Sequence, residues 1–360
     1  MQLYTKPEAV ILSYPLRSLG DPDDFLFFDI ETTGLTPANA QVYMIGTLSR
    51  EEGSGWTLRQ WFAESLSDEA EMLTEFFAFA GRFRTLVHYN GDAFDIPFLM
   101  RCALQYGIPH PFAGLSSLDL YRAARPYRKI FGTERMNQRS MEAFLGLKRM
   151  DRFTGGELIS VYETFTATHE KALRSRLLLH NEEDLTGLPV LLSLLSYRDF
   201  FLGSFRYTKE DDAPDALTVF FRGEAYLPQE VSFPLAPLTL SASEDTLSVR
   251  IPKYRQTMAH YFENYRDYYY LPHEDRAVHK SVGEFVDRSA RVKCTARNAC
   301  VRKDGCFLPL FGPALPDQNV FQAEYRGAVR YVEEADFRKE PGFLEDYVQA
   351  VLKAAGLKEA

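Results

Sequence analysis

The chain has few cysteines and no long uninterrupted apolar run. Four cysteines in 360 residues do not make a disulfide framework. Cys294, Cys300 and Cys306 are each separated by five residues, which is not the C-x2–4-C clip of structural zinc sites. Packing within strands or a hairpin is the expected use of that spacing. No apolar run approaches the roughly 18–20 residues needed to span a bilayer. The opening MQLYTKPEAVILSYPL lacks a basic start followed by an apolar stretch, so no signal peptide and no membrane association are expected. A cytoplasmic protein with reduced thiols is the expectation. Internal repeats and low-complexity segments are also lacking. Positive charge is in deficit, with a formal net charge of −9, and an evenly spread deficit would argue against a nucleic-acid partner.

The charge is not evenly spread. Tyr121–Arg152 carries nine Lys/Arg against three Asp/Glu, and Arg250–Lys303 carries twelve against six. Local basic patches govern phosphate attraction more than the sum over the chain. Taken alone, each patch reads equally well as a solvated face. Hydrophobic residues make up 46% and charged residues 25%, an ordinary soluble globular balance with length for two or three domains.

The first 200 residues alternate strand-like and helix-like segments. Strands are predicted at Phe25–Ile30, Gln41–Leu48, Trp56–Phe62, Thr85–Tyr89 and Ser116–Leu120, and helices at Asp68–Phe83 and about Phe94–Tyr106. Pro97 is tolerable only in the first turn of the second helix. A three-strand meander followed by strand–helix–strand units predicts an α/β domain, a mixed sheet with flanking helices, over residues 1–200. Residues 201–360 read as a smaller α+β domain. There, acidic Glu210–Asp215 reads as a linker, and Leu217–Phe221, Ala225–Leu227, Leu238–Ser241 and Leu247–Ile251 read as short strands. Lys253–Tyr269 reads as a helix with a tyrosine stripe (Tyr254, Tyr261, Tyr265, Tyr268), which is either core or a base-stacking platform. Asp304-Gly305 reads as a hairpin turn, and Pro341–Ala355 as a terminal helix.

FLFFDIETTGL, starting at Phe25, interrupts a buried strand with two acids. Residues two apart on a strand share a face, so Asp29 and Glu31 project side by side and repel when both ionise. Alone, the pair reads as a solvent-facing strand end. VHYNGDAFDIPFL adds Asn90 at a strand end and Asp95 at a helix start, with Asp92 a nearby alternative. LLLHNEEDLTGLPVLLSLL adds Asp184 on a helix with an apolar face. Together these make a four-carboxylate site able to hold two divalent ions, and oxygen-only ligands favour Mg²⁺ or Mn²⁺. Asp119 and Glu142 read as structural. His273, Glu274, Asp275, His279 and Lys280 match no enzyme motif.

FFDIETTGL, YNGDAFDIPFL and HNEEDL, in that order, resemble the three motifs of the RNase H-like proofreading exonuclease superfamily. MEAFLGLKR (Met141–Arg149) and GGELISVY (Gly155–Tyr162) resemble segments of its bacterial RNase H-like domain branch. The resemblance covers roughly residues 20–197. It implies a metal-dependent 3′–5′ exonuclease acting on DNA or RNA, with a single-stranded 3′ end as substrate and two Mg²⁺ or Mn²⁺ ions. By the same resemblance Asp29, Glu31, Asp95 and Asp184 are metal ligands and His180 is the general base. Thr32, Thr33 and Leu35 line the site for the terminal nucleotide, Asn90 supports the second motif, and Arg149 touches substrate. His180 lies four residues before Asp184, a spacing that the superfamily has in its Tyr variant. Asn181 is expected to cap the helix with His180 just outside it, and Pro189 is expected to kink it. The rival reading is a non-catalytic nucleic-acid-binding or scaffold protein that keeps the fold, and a third is an endonuclease of the same fold.

Overall fold

A computed structural model describes residues 1–51, 55–315, 318–337 and 342–358. The chain divides into two compact units, Met1–Asp199 with Leu227–Gln229, and Phe200–Tyr226 with Glu230–Ala360.

The first unit is built on six strands: β1 (Gln2–Glu8), β2 (Phe25–Thr32), β3 (Val42–Glu51), β4 (Gly55–Phe62), β5 (Thr85–His88) and β6 (Ser116–Asp119). They form one mixed sheet in the order β1-β4-β3-β2-β5-β6. β1 to β4 pair antiparallel, while β2–β5 and β5–β6 are parallel. Strand β1 had no signal in the sequence, because its alternation is weak and Pro7 is tolerated only at a sheet edge. The unit's helices are α1 (Glu69–Ala80), α2 (Asp95–Tyr106), α3 (Leu120–Ala124), α4 (Gln138–Phe144), α5 (Gly155–Thr168) and α6 (Lys171–Leu191), followed by α7 (Leu195–Leu202). Pro97 sits in the first turn of α2, where its missing N–H leaves no helical bond unmade.

Strand β2 is central and covered on both faces, so Phe25, Leu26, Phe27 and Phe28 are all buried. Each such side chain contributes about 1.5–3 kcal/mol by leaving water. Phe28 packs against Phe76 of α1 and edge-on against His88 of β5. Helix α6 crosses β2 and β3, and Gly46 of β3 makes its close approach possible. A Cβ at Gly46 would lie 2.0 Å from the Asn181 side-chain oxygen and 2.6 Å from Leu185. Asn181 and His180 both lie inside α6, not at its start, which corrects the expected cap. Pro189 falls two residues before the C-terminal residue of α6, Leu191, within the helix. The helical stretch Lys171–Leu202 is long and apolar enough, by length and composition, to cross a membrane, and 67% of its window is buried inside the protein. The count of uninterrupted apolar runs in the sequence did not register it.

The second unit holds three three-stranded sheets. One is built from β7 (Arg206–Asp212), β8 (Ala216–Leu235) and β9 (Leu238–Pro252). Glu210–Asp212 therefore lies in a strand instead of a linker, and the four short predicted strands are parts of two long ones. Another sheet has the order β10-β14-β15, from β10 (Tyr254–Tyr261), β14 (Cys300–Leu310) and β15 (Arg330–Glu333). The third joins β11 (Tyr268–Leu271), β12 (Arg276–His279) and β13 (Val292–Lys293). Helices α8 (Lys280–Gly283) and α9 (Phe343–Ala354) complete the unit, and Pro341 of the predicted terminal helix lies outside the described residues.

The helix predicted at Lys253–Tyr269 is thus β10 and β11. The tyrosine spacing fits a helix, but Tyr254–Tyr261 pairs residue for residue with Phe307–Cys300, and this long-range pairing overrides the local period. The same ladder places Asp304 opposite Thr257 and Gly305 opposite Gln256, so Asp304-Gly305 is mid-strand, and the Thr257 hydroxyl donates to the Asp304 carboxylate. All four cysteines are free thiols, and the two groups of potential ligands found among the described residues contain none of them.

Candidate active site

Strand β2 delivers Asp29 and Glu31 to one face of the sheet near its C-terminal end. Beyond Phe27–Val87, β5 no longer pairs with β2, so this side of the strand is open at the Ile30 N–H. Asp95, the first residue of α2, takes that N–H on its carboxylate at 3.3 Å. One hydrogen bond thus fixes the start of α2 against the strand that carries the other two acids. Asp184 comes from α6, one turn beyond His180. Asp29, Asp95 and Asp184 line a cavity of about 550 Å³ together with Tyr89, Asn90 and Tyr121.

A chain of amides holds Asp29. Asn181 donates to its carboxylate at 3.0 Å, and Gln60 of β4 donates to the Asn181 oxygen at 3.0 Å and to the Leu178 carbonyl at 2.8 Å. Gly46, opposite Asp29 in the β2–β3 register, gives Asn181 the space to do this. Asp29, Glu31 and Asp95 have no Lys or Arg ion pair among the described residues. Burial first, and then repulsion from Asp184, Asp95 and Glu31, raises the Asp29 carboxyl well above its ordinary range. Glu31 is raised by burial and by Asp184 and Asp95, and burial pushes Asp95 up to about 7.

His180 Nε2 faces this cluster, 3.2 Å from Asp184 Oδ2 and 3.6 Å from Glu31 Oε1. Its other ring nitrogen, Nδ1, lies 2.6 Å from Asp151 Oδ2 in a buried contact. Asp151 also accepts from Arg139 at 2.8 Å and from the Phe153 N–H at 3.1 Å. Burial works against its charge, yet the His180, Phe153 and Arg139 contacts leave its carboxyl below the ordinary range. Glu183 anchors the loop, accepting from the Met150 and Asp151 N–H groups at 2.8 and 2.9 Å. The Asp151 carboxylate on Nδ1 fixes the orientation of the ring, with Nε2 turned towards the acids.

Arg149 is held differently from the sequence expectation of a substrate contact. Its guanidinium is bound by the buried Glu142 through both oxygens, and its Nη2 donates to Asp184 Oδ1 at 2.5 Å. Glu142 fits under α6 because Gly187 has no side chain, since a Cβ there would come within 2.2 Å of Glu142 Oε1. The Thr32 hydroxyl donates to the Gly34 carbonyl at 2.8 Å, and Thr33 Oγ1 accepts from the Gln41 N–H at 2.9 Å, so both stabilise the turn after β2. Leu35, 83% exposed, stands at the tip of that turn. Asn90 is left-handed at φ 65°, and its N–H donates to Asp119 at 2.9 Å.

Asp151 and the Gln60–Asn181 chain were missed in the sequence. Asp151 was an acid set between Arg149 and Arg152 in a basic segment, and no spacing rule tied it to His180. Asn181 stood beside His180 and was read as a cap.

A second cluster, His88, Asp92 and Asp119, brings its side-chain ligand atoms equally close. Its hydrogen bonds are spoken for. Asp119 accepts from the N–H groups of Asn90, Asp92 and Arg122 and caps α3. His88 Nδ1 accepts from the Gly91 N–H at 3.0 Å, so Nε2 carries the proton towards Ser117 Oγ at 2.8 Å, and Ser117 donates to Asp92 at 2.5 Å. A histidine with this tautomer cannot take a proton from Ser117. Asp92 is thus held in this cluster by Ser117, while Asp119 caps α3.

Residues 26–196 match the family model RNase_H_2 of the RNase H superfamily. The match spans just under half of the chain, and the mixed sheet with flanking helices of this region is RNase H-like. Among solved structures, E. coli Exonuclease I in complex with a dA16 oligonucleotide aligns over 55% of this chain and 54% of that chain, at 13% identity and a TM-score of 0.28. The ExoI/SSB-Ct complex aligns over 55% of each chain at the same identity and TM-score. The chain spans about half the length of these proteins. No curated protein matches it. The superfamily and the acidic groups support a nuclease.

The donor set fits a hard divalent cation. Two buried carboxylates and the half-buried Asp29, none with a Lys or Arg partner among the described residues, together with Asp184 and predominantly oxygen donors are the chemistry that Mg²⁺ or Mn²⁺ selects.

Proposed function

We propose that the protein is a metal-dependent 3′–5′ exonuclease that hydrolyses the terminal phosphodiester of DNA or RNA. The observation that carries this reading is the group Asp29, Glu31 and Asp95, which lack a Lys or Arg partner among the described residues, closed by Asp184 and with the Nε2 of His180 turned towards it. These four carboxylates would hold two Mg²⁺ or Mn²⁺ ions. When bound, such ions supply positive charge to the scissile phosphate and lower the pKa of water. The chain's own contribution is a base and a frame. His180 Nε2 accepts the proton of the attacking water, while Asp151 keeps the other proton on Nδ1 and stabilises the imidazolium that forms. Water oxygen bonds to phosphorus, the P–O3′ bond breaks, the 3′ oxygen takes a proton from solvent water as it leaves, and His180 returns its own proton to solvent, releasing a nucleoside 5′-monophosphate.

Asn90, beside Tyr89 and Tyr121, borders the cavity for the terminal nucleotide, and Thr32, Thr33 and Leu35 form its lip. Arg149 orients Asp184 from behind, and its charge lies close enough to the acids to act on a phosphate they receive. Arg125, Arg128, Lys129, Arg135, Lys148 and Arg152 are exposed and have no ion pair among the described contacts, which suits phosphates of a strand.

The test is incubation of DNA and RNA strands, labelled at the 3′ or 5′ end, with Mn²⁺ and with Asp29→Ala as control. Mononucleotide release from the 3′ end, lost in Asp29→Ala, is the expected result. Strand binding without cleavage would sink the reading in favour of a binding protein, and internal cuts in favour of an endonuclease.

A further inference from the structure

The second unit has a cavity of about 730 Å³ that the nuclease reading leaves unused. Its wall carries the rings of Tyr261, Phe262, Tyr265 and Tyr325, all partly exposed. Two tyrosines that are each followed by an arginine, Tyr265 and Tyr325, line it, and Arg326 lines it as well. The Arg266 guanidinium lies 5.8 Å from the Tyr265 ring centre, and that of Arg326 lies 5.3 Å from the Tyr325 ring centre. Tyr261 and Tyr325 meet edge to face at 5.3 Å.

Most polar groups around the cavity serve the fold. His260 Nδ1 bonds the Val320 carbonyl, Gln322 donates to the Gly327 carbonyl, and Arg330 donates to the Gly312 carbonyl. Arg326 is the exception. It is exposed, and its described side-chain contact is the Tyr325 ring. Its backbone is left-handed at φ 61°, a conformation uncommon for a residue with a Cβ. Backbone strain of this kind collects at ligand sites. The lining residues include two arginines, Arg326 and Arg330, and one acid, Glu263.

We propose that this cavity binds a nucleotide of a single-stranded nucleic acid, as a holding site separate from the carboxylate cluster. Flat rings that accept any base, with a free guanidinium beside them for the phosphate, are the chemistry of sequence-tolerant strand binding. A volume of this size holds one nucleotide, within the usual range of roughly 300–1,000 Å³ for ligand pockets. The proposal rests on the nuclease reading for its substrate class only.

The experiment measures fluorescence anisotropy of a labelled long oligothymidylate with the full chain in EDTA, so that binding is read without hydrolysis. Arg326→Gly is the principal variant, because glycine takes φ 61° without strain and the fold loses only a side chain. Tyr325→Ala and Tyr265→Ala complete the set. Removing either tyrosine is expected to weaken binding about tenfold, within the range for loss of one stacked base. Arg326→Gly is expected to lower the slope of log affinity against log salt by about 0.7 at an unchanged or raised melting temperature. With Mn²⁺ restored, cleavage of a dinucleotide is expected to be unchanged in all three. Unchanged affinity and salt slope in folded Arg326→Gly overturns the proposal, even if the wild-type chain is a nuclease. Displacement of the oligothymidylate by polyglutamate at equal charge concentration overturns it in favour of an acidic peptide. Absence of any hydrolysis by the wild type defeats the nuclease reading and leaves the binding result standing.

Discussion

Two clusters of histidine and acids sit on the same sheet and differ in how their hydrogen bonds are used. In the group of His88, Asp92 and Asp119, backbone N–H groups and a serine hydroxyl meet the polar atoms, and burial keeps His88 below its ordinary pKa. In the group of Asp29, Glu31, Asp95, Asp184 and His180, three acids are raised by burial and by each other. Proximity of ligand types does not separate the two, but the accounting of donors does. A satisfied cluster is already a finished piece of structure, whereas an over-acidic one calls for a cation from outside.

The largest effects should split the clusters by the quantity they change. Asp29→Ala is expected to lower the nuclease rate by at least about 10³-fold while the protein stays folded. Asp119→Ala is expected to cost about 1–3 kcal/mol of stability through three orphaned N–H groups, with the remaining folded protein active. Urea denaturation beside initial-rate kinetics on both variants checks this, and equal loss of activity at equal stability would erase the distinction. Next, Asp151→Asn is expected to reduce kcat about 10–100-fold with little change in KM, because the base loses its fixed tautomer. An unchanged kcat would show that His180 does not work as a base.

Stability effects come after the kinetic ones. Gly46→Ala drives a Cβ into Asn181 and Leu185, so a loss of about 1–3 kcal/mol is expected by thermal unfolding, with weaker Mn²⁺ binding by calorimetry. The smallest effect concerns pH. Asp95 is raised from 3.8 to about 7, so across that window the folded state keeps a proton that the unfolded chain releases. The cluster's contribution to the stability of metal-free protein therefore falls as pH rises through the window. Melting curves in EDTA should show the decline, Mn²⁺ should remove it, and Asp95→Asn should flatten it.

Legibility in the sequence followed the range of the interactions. Asp29, Glu31, Asp95 and Asp184 were readable because each sits where an apolar run stops, and helices α1 and α2 were readable from their own periodicity. Asp151 and Gln60 were not, because each matters through a partner about thirty or more than a hundred residues away. Arg149 was placed near the site correctly, but its binding to Glu142 depends on Gly187 leaving room under a helix, which no local pattern announces. Strand β10 failed for the same reason in reverse. Its tyrosines have helical spacing, and only the distant Cys300–Phe307 segment makes it a strand.

Helix α6 has a consequence for how the molecule is made. Asp29 and Glu31 leave the ribosome long before Asp184, His180 and Asn181. Until α6 docks over Gly46, the early acids stay hydrated and their repulsion is screened by water. The electrostatic penalty of the site thus falls on the last step of assembling this domain, when the sheet is already able to bear it. A nascent chain halted before Lys171 would hold the sheet strands without the burden, and divalent ions in the cell would act on the closing step alone.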